Sequence, residues 1–181
     1  MATASHTSTA KSSSARKSTA TRKTSQARSK DAIAVLKEQH QAVKKLFGQF
    51  TKAKGESRQQ SLASRICMEL KVHTQIEEEL LYPQAHEEID DPELVDESLV
   101  EHNAAKDLIR QIEQTDPSDE MFAAKMQVLQ EQIEHHVKEE ETELFPKIRK
   151  SDMDLKGIGQ QLERRTKELK AQMKGDGMGM H

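Results

Sequence analysis

The chain has 181 residues, 34% of them hydrophobic and 33% charged, with a net charge of −3, one tyrosine, four phenylalanines and no tryptophan. That composition fits one modest domain with appendages and is too poor in strand formers for a β fold, so an all-α protein is expected. A single cysteine, Cys67, excludes an intramolecular disulfide framework. The absence of a long apolar run or an apolar leader points to a cytoplasmic protein that makes no membrane contact.

Charge divides the chain. Residues 1–30 carry seven Lys or Arg and no acid, and 20 of them are Ser, Thr or Ala, whereas the remaining 151 residues hold 21 basic and 31 acidic side chains. With no large apolar side chain between Met1 and Asp31, such a segment cannot offset its ordering entropy by burial and is expected to be a disordered basic tail. It is suited to solubilising the protein or to weak contact with nucleic acid or another polyanion, and its Arg- and Ser-rich character also resembles a targeting peptide. No aromatic residue interleaves the basic ones to stack on bases.

From Asp31 the pattern becomes helical. Ile33, Leu36, His40, Val43, Phe47 and Phe50 alternate steps of three and four along one seam. Lys54 to Glu56 break it, and Ser57 opens a second helix with the seam Leu62, Ile66, Leu70, His73, Glu77, Leu80. A third begins near Pro92, with Val95, Leu99, His102, Ala105, Ile109 and Ile112 in line. Asp116–Pro117 marks the start of a fourth, which runs through Phe122, Met126, Leu129, Ile133, His136, Glu140, Leu144 and Ile148. Four helices with short linkers over residues 31–150 describe an up-down-up-down bundle. Residues 151–181 add a short C-terminal helix, from about Leu155 to Met173, and a loose Gly- and Met-rich end.

Two stretches repeat one another. His73 precedes Glu77 by four residues in a run that closes on Leu81, Tyr82 and Pro83, and His136 precedes Glu140 by four in a run that closes on Leu144, Phe145 and Pro146. Residues four apart on a helix point the same way, so each pair is a two-ligand claw. His40 and His102 lie 33 and 34 residues before the paired histidines. A lone histidine in an apolar seam is more often a hydrogen-bonded core residue than a ligand, and a metal-free bundle is the bland alternative. Yet Glu77 and Glu140 would be buried charges without partners, and one metal cluster accounts for all six residues. His135 with Glu139 makes a further i, i+4 pair, but it faces sideways from the Ile133–His136 seam. It is set aside with His6, His86 and His181.

The order lone histidine, His-x-x-x-Glu, lone histidine, His-x-x-x-Glu, with Leu-aromatic-Pro after each acidic run and Glu101–His102 opening the second half, resembles the hemerythrin-like proteins of the HHE cation-binding family over residues 31–150. The resemblance implies a four-helix bundle holding a non-haem di-iron centre, in which His40, His73, His102 and His136 bind one iron or the other and Glu77 and Glu140 bridge them, with an oxo or hydroxo bridge between. The oxygen-carrying members have a fifth histidine and a final aspartate. Here Lys106 stands one turn from His102 and the last carboxylate is Glu140, which argues against reversible dioxygen carriage.

Imidazole and carboxylate donors suit iron, and also zinc or manganese. Of about twelve coordination positions on two six-coordinate ions, about two are left open by this set. Glu78, Glu139 and Tyr82 are candidates to fill one, although Tyr82 lies 180° from His73 on an ideal helix. The reading is a protein that binds or reduces dioxygen, nitric oxide or hydrogen peroxide, with catalase-like or peroxidase-like turnover. The alternative is a non-catalytic oxygen, iron or redox sensor whose tail touches a polyanion.

Overall fold

The computed structural model describes residues 1–3 and 30–176, so the readings made for the basic segment and the last residues lie outside the described part. Among the described residues the chain forms seven α-helices: α1 Ala32–Lys52, α2 Glu56–Ile76, α3 Tyr82–Glu88, α4 Glu93–Glu113, α5 Glu120–Glu139, α6 Phe145–Ile148 and α7 Leu155–Asp176. One π turn, Glu77–Leu81, joins α2 to α3, and another, Glu140–Leu144, joins α5 to α6. The four rods of the bundle are therefore α1, α2–α3, α4 and α5–α6. They form an all-α up-and-down bundle in which α1 packs on α2, and α4 on α5.

The helix starts follow local chemistry. The Asp31 carboxylate accepts from the Ala34 amide at 2.8 Å and so caps α1. Gly55 turns the chain into α2 with a φ of 86°, a left-handed value that glycine adopts without strain. Asp116 and Pro117 do not begin a helix. Asp116 instead folds a turn onto the amide and hydroxyl of Ser118, and α5 starts at Glu120 under an Asp119 cap. An Asx turn satisfies Asp116 locally, leaving the helix start to the next aspartate.

Burial follows the seams except at Leu80 and Leu99; in α4, Ser98 is buried and Leu99 only partly so. Ile33, Leu36, Val43, Phe47 and Phe50 of α1 and Phe122, Met126, Leu129 and Ile133 of α5 are all buried. In α2–α3, however, the core residue is Leu81, which is fully buried, while Leu80 is only partly so. The π turn causes this. Its bonds close five residues back, as from the Tyr82 amide to the Glu77 carbonyl, so one extra residue is absorbed and everything downstream rotates by about 100°.

Two apolar clusters result. One fills the end of the bundle around Phe47, Ile66, Ile109 and Leu129, and the other surrounds Leu36, Ile76, Tyr82 and Phe145. The second is closed by α7, whose Ile158, Leu162 and Leu169 are buried as it lies across α1 and α2. Gly159 lets α7 approach closely, since a Cβ there would come within 2.9 Å of the Ala32 nitrogen. The histidines lie between the two clusters. No helix among the described residues is long and apolar enough to cross a membrane.

Candidate metal centre

His40 comes from α1, His73 from α2, His102 from α4 and His136 from α5, while Glu77 and Glu140 are the first residues of the two π turns. All six are at least 95% buried, and they converge. The Nε2 atoms of His40 and His73 are 3.1 Å apart, as are those of His102 and His136. Glu77 Oε2 lies 3.2 Å from His73 Nε2 and 3.5 Å from His102 Nε2. Glu140 Oε2 lies 3.2 Å from His40 Nε2 and 3.6 Å from His136 Nε2. Each glutamate thus reaches one histidine of either pair.

A second ring of side chains fixes the imidazoles. The Nδ1 atoms of His40, His73, His102 and His136 meet Glu141, Gln39, Glu78 and Glu101 at 2.9, 2.8, 2.9 and 2.8 Å. An ionised carboxylate or an amide oxygen only accepts, so each Nδ1 carries the proton and each Nε2 turns a lone pair inward. Facing lone pairs at 3.1 Å repel unless a cation or proton lies between them. The same separation suits neighbouring donors on an ion with bonds of about 2.1 Å.

The carboxylates carry the same message. Among the described residues neither oxygen of Glu77 has a hydrogen-bond partner, and Glu140 Oε2 has none either. Buried carboxylate oxygens are normally satisfied, and leaving them bare costs several kcal/mol. Burial, reinforced by the charge of Glu140, pushes the Glu77 carboxyl well above its ordinary range. Burial pushes Glu140 up too, but the imidazoles of His40, His136 and His73 gathered around it outweigh that and hold Glu140 low. Burial also lowers His73, aided by the neighbouring His40, which favours the neutral imidazole a metal needs. The donor set fits a pair of cations.

The three remaining candidates separate. Tyr82 reaches the site: its hydroxyl donates to Glu140 Oε1 at 2.9 Å and lies 3.3 Å from His102 Nε2. The π turn, rather than Pro83 alone, brings it there by moving it from 180° to about 80° from His73. Glu78 points to the outer side of His102, where Lys106 holds it at 2.6 Å. Lys106 therefore marks no vacant position on the inner face. Glu139 faces away from the cluster, 3.2 Å from His135.

The supporting ring leaves a signal in the sequence that helical periodicity alone does not single out. Four of the inner residues have one of the supporting residues as a chain neighbour: Gln39–His40, Glu77–Glu78, Glu101–His102 and Glu140–Glu141. The neighbour, about 100° round the helix, supports a histidine on the adjoining rod.

An all-α bundle with paired buried His/Glu clusters defines a metal-binding protein of the hemerythrin-like class. The chain belongs to the hemerythrin HHE cation-binding domain family, whose profile matches residues 31–148. It shares its fold with a solved HHE cation-binding domain-containing protein from Mycobacterium kansasii, with a TM-score of 0.73 at 22% identity over 83% of this chain and 94% of that one. It is also 31% identical over 118 residues, 64% of its length, to a DNA nickase from Nostoc sp., of which it spans 32%.

Proposed function

We propose that the 31–150 unit holds two iron ions in the buried cluster and there binds or reduces a small oxidant such as dioxygen, nitric oxide or hydrogen peroxide. The observation that carries this reading is the pair of glutamates whose orphaned oxygens each face one histidine of both pairs. His40 and His73 would hold one ion and His102 and His136 the other, with Glu77 and Glu140 shared. When bound, such ions supply redox and Lewis-acid chemistry.

The protein's own groups do the rest. Glu141, Gln39, Glu78 and Glu101 hold the imidazoles by their Nδ1 protons. The Tyr82 hydroxyl holds a proton against Glu140 at the edge of the cluster. Val43, Leu70, Ile133 and Val137 line a void of about 10 Å³ beside the four histidines, room for little more than one water or diatomic molecule. A cleft of about 440 Å³ between α1 and α5 shares His40, Ile133 and Val137 with that void and offers a way in.

Metal analysis and an ultraviolet-visible spectrum of protein from iron-fed cells test the proposal. Two irons per chain, near-ultraviolet absorption and iron-dependent consumption of hydrogen peroxide are expected. One ion per chain, or tightly held zinc, would overturn the di-iron assignment.

A second reading, a cytoplasmic sensor that contacts nucleic acid without turnover, rests on the seven Lys or Arg of residues 1–30 and on the resemblance to a DNA nickase. It requires salt-sensitive DNA binding that disappears when residues 1–30 are removed while metal content stays the same. DNA binding that survives the truncation would exclude the tail as its source.

A further inference from the structure

Three carboxylates support histidines of the cluster, and they are balanced differently. Glu141, behind His40, has Lys37 at 3.2 Å, and Glu78, behind His102, has Lys106 at 2.5 Å. Glu101, behind His136, has no lysine or arginine at ion-pair distance among the described residues. Its Oε2 takes the His136 proton at 2.8 Å, and its Oε1 lies 3.6 Å from His135 Nε2. His135 Nε2 is also 3.2 Å from Glu139 Oε1, and Glu139 likewise has no lysine or arginine partner among the described residues.

We propose that Glu101, His135 and Glu139 form a third, outer metal site for a divalent transition-metal ion. One imidazole nitrogen and two carboxylate oxygens, from α4 and α5, all lie within 4.8 Å of one another. His135 and Glu139 repeat the i, i+4 spacing of the two inner claws. Nitrogen and oxygen donors of this kind suit Fe²⁺, Mn²⁺ or Zn²⁺. The carboxylates are partly withdrawn from water, with side-chain exposures of 23% for Glu101 and 32% for Glu139, which strengthens their pull on a cation. His135 is 61% exposed, so an ion could enter from solvent and keep waters on its outer side. A divalent ion here supplies the positive charge that Lys37 and Lys106 supply to Glu141 and Glu78. Because Glu101 touches both this site and His136, the outer ion would be one carboxylate away from the buried cluster.

The site does not depend on which metal the buried cluster holds. Full-length protein with its resident metal in place, freed of loose ions by dialysis, is titrated with Mn²⁺, and binding is read from the loss of the free-ion paramagnetic resonance signal. Wild type should take up one Mn²⁺ per chain beyond its resident metal. H135A/E139Q should take up none, with resident metal content and thermal melting unchanged. His135→Lys, which supplies Glu101 with a lysine partner, should also abolish uptake. Equal uptake by wild type and both variants, or no uptake by wild type at millimolar Mn²⁺, would overturn the proposal.

Discussion

The two halves of the bundle carry nearly the same sequence device, and their differences show what a metal would have to supply. Each half has a lone histidine, a His-x-x-x-Glu claw, a π turn and an aromatic residue before proline. In the first half that aromatic is Tyr82, whose ring packs against His102 and whose hydroxyl satisfies Glu140. In the second it is Phe145, which stacks on His40 with ring centroids 5.9 Å apart and offers no donor. Glu77 is consequently bare at both oxygens and Glu140 at only one. The supports differ too. His73 alone rests on a neutral amide, that of Gln39, which in turn donates to Thr166 of α7 at 3.3 Å. The first claw is thereby coupled to α7 by a hydrogen bond. Near-repetition builds the site, and single-residue departures from it decide which half is less satisfied without metal.

The largest expected effect comes from removing the metal from both halves at once. Each ion present at about 100 times its dissociation constant contributes about 2.7 kcal/mol, or about 5–10 °C in Tm for a chain of this size. Calorimetry of loaded and stripped protein checks it, and equal melting temperatures would mean that the cluster is not a metal site. The gap should widen with pH. A carboxyl raised in the folded state, as Glu77 is, favours folding below its ordinary value of 4.5, and that contribution is lost as pH rises through its folded pKa. Glu140, lowered in the folded state, contributes fully above the same value, so the stripped protein should weaken with rising pH.

Next in size is the contrast within the second claw. His136→Ala should remove or halve the metal retained by the buried cluster after dialysis, while His135→Ala should leave that buried metal intact, since His136 is buried in the cluster and His135 is exposed. Equal losses in elemental analysis would mean that the inward-facing histidine is not the deciding one.

Making the halves alike is a subtler change. Tyr82→Phe leaves Glu140 Oε1 without its donor and should cost the metal-free protein about 1–3 kcal/mol in urea unfolding. No loss would show that the hydroxyl does not distinguish the halves. The smallest effect is expected at the outer ring. Lys106→Met frees Glu78 from its latch and should weaken metal retention against a chelator by about tenfold, with little change in fold. Gln39→Glu gives the complementary check, since it would give His73 the carboxylate that the other three histidines have.

Much of the molecule was legible from spacing alone. The three-four rhythm fixes which face of each helix is buried, because that face recurs every 3.6 residues whatever it packs against. The six inner residues fell on those faces, so their convergence followed once four helices were packed into one bundle. What periodicity could not show was any departure from the period. The π turns absorb a residue, move Leu81 into the core and bring Tyr82 to the cluster, and no regular-helix projection contains that step. Nor could spacing assign partners across rods. That Glu141 supports His40, that Lys106 latches Glu78, and that Glu101 stands beside His135 are results of how neighbouring helices align. The sequence by itself determined the bundle and its inward-facing donors, through local helical geometry. Only the tertiary structure decided which donors are satisfied and which are left bare, because that depends on contacts between residues 24 to 101 positions apart in the chain.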